Sequence, residues 1–219
     1  MDMKDLEEFK VWNTADVFPD PIWKAKYPHK LFRLQKKAKE FLDNSEFLNA
    51  GLERDGGASS SSDPEQPHMW GESQEFYEWL RNPSEEIWQS WNYQNGNRRQ
   101  ITKSWVNFHP PGAWTDEHTH GNTDMVAVLY LDAPTDSGNL QVHNPLFYHW
   151  EGTQRIAGSN SWTNVPIETG DVVIFPGWLL HRTEKNNSTN DRMTINTNIA
   201  ASVNFHNITI AKPTPADGR

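Results

Sequence analysis

The chain has 219 residues, no cysteine and a net charge of −9 at pH 7. Without thiols it forms no disulfide, and any bound metal must be held by His, Asp or Glu. The acidic balance speaks against a general nucleic-acid or membrane-surface binder, whose footprint is basic, and no apolar run approaches the roughly eighteen residues of a membrane span.

The first residues, Met1-Asp2-Met3-Lys4-Asp5-Leu6-Glu7-Glu8, are too polar and acidic for a secretory signal, so a cytoplasmic location is expected. Val17 to Ile22 is short, extended and interrupted by proline. From Tyr27 to Leu48 the apolar residues Leu31, Leu34, Ala38, Phe41 and Leu42 recur at three and four, which predicts a helix with Lys36, Lys37 and Lys39 on its wet face. Residues 55–64 are Gly- and Ser-rich and read as a loop, flexible or closing over a pocket. Gln74–Leu80 and Ser84–Trp91 read as two helices separated by Asn82-Pro83, with Ser84 as a cap.

After Arg98 the character changes. Ile101–Phe108, Met125–Leu131, Leu140–His143, Asp171–Phe175 and Arg192–Ile199 are β-rich runs bounded by Gly, Pro, Asn and Asp. Together they predict a mainly β protein with N-terminal helices, a double-stranded β-helix (jelly roll, cupin-like). We expect one domain over 1–219, with 1–97 as helical support and 98–211 as the β-helix core. The eleven tryptophans are expected in core and pocket walls rather than as stacking platforms.

Within this frame His118-Thr119-His120 places two imidazoles at strand spacing, where residues i and i+2 share a face. His181, 61 residues beyond His120, follows the apolar run Val172–Leu180 and is the best third ligand. Such a site leaves coordination positions open, which favours catalysis over a structural role. In Arg192–Ile199 the residues Arg192, Thr194, Asn196 and Asn198 share one face, and Met193, Ile195 and Ile199 the other. If the polar row lines the barrel, Arg192 offers a bidentate fork to a carboxylate, with Thr194 as a further donor. His109 and His143 read as structural or rim residues.

These segments occur in a distinctive order: His118-Thr119-His120, the strand Val126–Leu131 ending in Tyr130-Leu131, Ser137-Gly138-Asn139-Leu140, Asn144-Pro145, Gly170-Asp171 with Phe175-Pro176, His181, and Arg192-Met193-Thr194. In this the chain resembles the iron(II)- and 2-oxoglutarate-dependent dioxygenases, and most of all a branch of them common in phage and marine bacterial genomes. The resemblance implies Fe(II) on His118 and His181, 2-oxoglutarate as co-substrate and O2 as oxidant. It also implies that Arg192 and Thr194 hold the distal carboxylate of 2-oxoglutarate, that Tyr130 adds a phenol to it, and that Asn107 contacts the co-substrate's other end. The position usually held by a carboxylate is His120 here. His120 then completes a three-histidine site, with water or Asp124 as the alternative third ligand.

The activity so implied is hydroxylation of an unidentified small-molecule or peptidyl substrate, in a bacterial or phage-infected host cell. A three-histidine cupin-like enzyme without 2-oxoglutarate, or a silent barrel with a binding or virion-associated role, are the rival readings. Barrel edges and exposed aromatics make a homodimer conceivable.

Overall fold

The computed structural model describes residues 22–91, 99–145 and 161–201. In chain order these form β1 (Trp23–Lys26), α1 (Phe32–Asn44), β2 (Glu53–Arg54), β3 (Ala58–Ser59), α2 (Gln74–Ser90), β4 (Arg99–His109), β5 (Trp114–Thr115), β6 (Met125–Asp132), β7 (Leu140–His143), β8 (Trp162–Val165), β9 (Asp171–Pro176), β10 (His181–Thr183) and β11 (Arg192–Ala201). A six-stranded sheet runs β1-β9-β6-β11-β4-β3, a smaller one β10-β7-β8, and β2 pairs with β5. Every pairing is antiparallel. Two antiparallel sheets with helices outside the larger one make the expected double-stranded β-helix.

The two-residue period of the large sheet divides the core in two. On its outer face Met193, Ile195 and Ile199 of β11, Leu129 and Leu131 of β6, and Val172 and Ile174 of β9 pack with Leu34, Ala38 and Phe41 of α1 and Phe76, Leu80 and Ile87 of α2. On its inner face Val126, Val128 and Tyr130 of β6 and Val173 and Phe175 of β9 meet Leu140 and Val142 of the small sheet. Strand β9 is therefore buried along its whole length. It begins at Asp171, which binds Lys24 and Lys26 of the outer strand β1 at 2.8 and 3.0 Å.

Several local expectations change. The segment Val17–Ile22 lies outside the described residues except for Ile22, and the strand that is described, β1, follows it. Helix α1 is shorter than its periodicity suggested, because Pro28 precedes it and Ser45 turns extended at its end. Gln74–Ser90 is one helix with Pro83 inside it and Ser84 buried rather than capping. The apolar ridge of Phe76, Leu80, Ile87 and Trp88 continues across the proline, and packing along it outweighs the one missing backbone donor. The Gly/Ser segment is neither slack nor a lid. Ala58 and Ser59 pair with Phe108 and Asn107 of β4, and the Ser60 hydroxyl accepts the Val106 N–H at 2.9 Å. Serines and alanine suit this place because it needs backbone pairing and short polar groups rather than apolar bulk.

Phe76 anchors α2, with its ring edge-on to Tyr27 at 5.5 Å in the cluster beneath β11. Phe76→Ala is expected to cost about 3–5 kcal/mol, read as a lower urea midpoint with a nearly unchanged m-value.

Candidate metal centre

His118 and His181 are joined through the backbone: each N–H donates to the other's carbonyl, at 2.9 and 3.0 Å. This isolated bridge ties the segment after β5 to the start of β10. His120 is fixed separately, its N–H donating to the Gly177 carbonyl at 2.8 Å. The three imidazoles converge, with one donor atom from each lying within 4.8 Å of the others. The spacing argument thus brings the histidines together, although only His118 of the pair makes a β-bridge.

The ring tautomers follow from the partners. Nδ1 of His118 lies 2.8 Å from the Asp116 carbonyl and Nδ1 of His181 lies 2.8 Å from the Leu179 carbonyl. A carbonyl only accepts, so Nδ1 carries the hydrogen in both rings and Nε2 keeps a lone pair for a metal. Nε2 of His120 stands 3.3 Å from Nε2 of His181. Adjacent ligands at metal–nitrogen distances of about 2.0–2.1 Å would stand about 3 Å apart. Trp105 stacks on the His120 ring at 5.7 Å, and Phe175 lies 4.6 Å from that of His181.

Burial sets the charge state. It pushes the His120 pKa down to about 4, helped by the neighbouring His118 and Lys103 and opposed by the Asn198 amide. Burial also holds His181 well below the ordinary histidine range, with His118 and His120 adding to it. Neutral imidazoles are what metal binding requires. Asp124 takes no part: its Oδ2 accepts the Ala201 N–H at 2.8 Å, and it is not among the converging donors.

The second group lies across three strands in register. Thr194 is opposite Asn107 of β4 and Tyr130 of β6, and Arg192 is opposite His109. Of the two orientations that the alternation with Met193 and Ile195 left open, the polar row of β11 takes the inward one, and Arg192 is only 1% exposed. Its Nη1 donates to the carbonyls of Ser137, Gly138 and Glu184 at 2.5, 3.3 and 3.3 Å, and its Nη2 to Thr183 Oγ1 at 2.9 Å. Its Nε is buried without a partner, as is Oδ1 of Asn107. Among the described residues Arg192 makes no ion pair. Burial pushes the Tyr130 phenol up to about 12, against the pull of Arg192, so it stays a neutral hydrogen-bond donor.

Thr183, which the sequence does not single out, and Gly138, which enters there only as part of a turn motif, complete the arrangement. Thr183 lies two residues after His181 on β10, so both side chains use one face of that strand, about 6.6 Å apart along it. One reaches the histidine cluster and the other the guanidinium. Gly138 has φ +84°, and a Cβ there would stand 2.6 Å from the Lys185 carbonyl oxygen. Only glycine lets this turn bring its carbonyl to Arg192.

Two measurements probe the cluster. A Cβ on Gly177 would stand 2.0 Å from the Thr123 carbonyl oxygen, so Gly177→Ala must displace the 120–123 segment. Its divalent-metal affinity should drop about 10–100-fold, measured by competition with a chelating dye. In the metal-free protein, His120 titrates near 4 when folded and near 6.5 when unfolded. Between those values the unfolded chain binds a proton that the folded protein refuses. Stability is therefore full above pH 6.5 and falls as pH drops toward 4, by up to about 1.4 kcal/mol per pH unit for a fully shifted histidine. His120 should give somewhat less, because its ring is partly open to solvent. Urea midpoints from pH 7 to 4.5 should fall, and should fall less in His120→Gln.

With this geometry in hand, the chain can be set beside known proteins. Residues 103–198 match the family described as "Putative 2OG-Fe(II) oxygenase". No curated protein matches the sequence. A prolyl-4-hydroxylase from Pseudomonas putida is similar in structure, with TM-score 0.60 and 16% identity, over 85% of this chain and 96% of that one. The collagen prolyl hydroxylase of Paramecium bursaria Chlorella virus-1, solved with 2-oxoglutarate, aligns with TM-score 0.55 and 15% identity over 85% and 98% of the two chains. HygX from Streptomyces hygroscopicus, with nickel and 2-oxoglutarate bound, gives TM-score 0.56 and 11% identity over 84% of each. At these identities the shared property is the fold. The family match spans all seven candidate positions, from Asn107 to Thr194. That match covers 96 of the 219 residues, and over 103–198 the chain is similar to the 2OG-Fe(II) oxygenases.

Proposed function

We propose that this protein is a hydroxylase in which His118, His120 and His181 hold Fe(II), and Arg192, Thr194, Tyr130 and Asn107 hold 2-oxoglutarate. The observation that carries the reading is Arg192: a guanidinium 1% exposed, with no ion-pair partner among the described residues, anchored on the same face of β10 as His181. A buried charge left unpaired costs several kcal/mol. A carboxylate arriving from solution relieves that cost, and neutral carbonyl partners do so only in part. The donor set fits the metal as well, since imidazole suits iron and three ligands leave positions open for a chelating oxo acid and O2.

Bound iron would couple oxidative decarboxylation of 2-oxoglutarate, giving succinate and CO2, to insertion of one oxygen atom from O2 into a substrate C–H bond. The chain's own residues do the positioning. The carbonyls of Asp116 and Leu179 orient His118 and His181. The Thr194 hydroxyl accepts from the Asn196 amide at 3.1 Å, which leaves its own hydrogen free to donate to the carboxylate that Arg192 holds. The Tyr130 phenol, neutral at any physiological pH, can donate to the same oxygen atoms. Trp105 and Phe175 flank the imidazoles and shield part of their surface. With three imidazoles and no carboxylate, the metal site is one unit more positive than a two-histidine, one-carboxylate centre.

The test is anaerobic titration of 2-oxoglutarate into the Fe(II)-loaded protein, followed by a visible charge-transfer band, then succinate formation on admitting air. The band should appear, and Arg192→Met should weaken 2-oxoglutarate binding at least about 30-fold (about 2 kcal/mol or more). His120→Ala should weaken Fe(II) binding at least about tenfold, whereas Asp124→Asn should not. Iron binding with neither band nor succinate would transfer the protein to the cupin-like three-histidine enzymes. No iron binding would leave a barrel kept for another role.

A further inference from the structure

Behind Arg192 lies a buried acid–histidine pair that the metal and co-substrate assignments leave unused. Glu53 of β2 is 4% exposed and His109 of β4 is 1% exposed. Nε2 of His109 lies against Oε2 of Glu53 at very short range. Thr115 of β5 completes the cluster, its hydroxyl donating to Glu53 Oε2 at 2.6 Å and lying 2.9 Å from His109 Nε2. With the carboxylate as acceptor, Nε2 carries the hydrogen and Nδ1 is left with a bare lone pair.

That Nδ1 is buried and has no partner. A histidine kept only to fill a core would have both nitrogens satisfied, since an unmade buried hydrogen bond costs about 1–3 kcal/mol. Its neighbours show the same deficit. His109 is the register partner of Arg192 and sits two residues from Asn107 on the same strand, and Arg192 Nε and Asn107 Oδ1 are likewise buried and unpartnered. The pair is also wired to the guanidinium. The Thr115 N–H donates to Thr183 Oγ1 at 2.8 Å, and Arg192 Nη2 donates to that same oxygen at 2.9 Å.

We propose that Glu53 and His109 form a proton-accepting pair in the co-substrate pocket: as the dicarboxylate binds, His109 takes one proton from solvent and offers Nδ1–H to the carboxylate that Arg192 holds. The inference rests on the assignment of Arg192 to 2-oxoglutarate. The local charges favour it. Glu53 from β2 and Arg192 from β11 are the charged groups that bear on His109, while Tyr130 and Glu184 bear on Arg192. Glu53 makes no ion pair with Arg192 but bears on it from a distance, so a carboxylate placed on the guanidinium also feels Glu53, and a proton on His109 between them would ease that repulsion. Before binding, burial and the positive charge of Arg192 hold His109 below the ordinary histidine range against the pull of Glu53. A carboxylate on Arg192 cancels the guanidinium's effect, and Glu53 then favours the imidazolium. His109 would be a binding residue, and Glu53 a positioning residue acting through it.

The test is calorimetric titration of 2-oxoglutarate into anaerobic Fe(II)-loaded protein at pH 7.5, in two buffers of different ionisation enthalpy. The wild type should take up about one proton per 2-oxoglutarate bound, and its affinity should weaken as pH rises. His109→Gln should lose the uptake and the pH dependence and bind about tenfold more weakly, with Fe(II) affinity unchanged. Glu53→Gln should lose most of the uptake. Should these variants fail to fold, the ring 15N shifts of wild-type His109 in the Zn(II) protein decide the matter, moving to the imidazolium range on adding 2-oxoglutarate. Binding without proton uptake, uptake that persists in His109→Gln, or a His109 ring that stays neutral would each overturn the proposal while leaving the co-substrate assignment standing. Failure of 2-oxoglutarate to bind at all would overturn both.

Discussion

The pairing of β11 with β4 on one side and β6 on the other governs the rest of the molecule. A central strand has no freedom to slip, because a shift of one residue would turn Met193, Ile195 and Ile199 into the polar interior and Arg192, Thr194 and Asn196 onto the helices. The apolar half of the alternation is held by α1 and α2. What that burial secures is the opposite half, a row of polar groups turned into a barrel where each needs a partner. The helices thus act on the chemistry without touching it.

Much of this was legible in the sequence because it depends on periodicity. That the polar residues of β11 share one face follows from strict alternation, and the convergence of His118 and His120 from their i, i+2 spacing; that the polar face turns inward is set by the helices packed on the other side. The run Asp171–Phe175 before His181 was legible as a strand. What remained hidden depends on partners that carry no pattern of their own. Glu53, Thr115 and Thr183 sit on strands of two or three residues, too short for any period. The Ser-rich stretch resembled slack chain because the order of β3 comes from backbone pairing and serine hydroxyls. Pro83 looked like a break because the missing donor is visible in the sequence, while the packing that outweighs it lies in Phe76, Leu80 and Ile87 acting together.

The site departs from a two-histidine, one-carboxylate centre at a single position, and the surroundings are consistent with an imidazole there. The His120 ring lies near-parallel to both the Trp105 indole and the His181 ring, with interplanar angles of 27° and 9°. A carboxylate at that place would lie against an aromatic face that offers it no donor. The extra positive charge of an all-imidazole metal site falls in a chain whose net charge is −9.

The lysines of β1 have a consequence beyond the ion pairs they make with Asp171. Among the described residues β1 is the outermost strand of the large sheet, and all four of its residues are exposed. A strand in that place offers a free row of backbone donors and acceptors to any extended chain that meets it. Lys24 and Lys26 keep their ammonium groups beside that row, held on Asp171 at 2.8 and 3.0 Å, and lysine on an edge strand discourages a second polypeptide from pairing there. The residues that anchor Asp171 from outside thereby also make the outer strand of the described sheet a poor place for another strand to add.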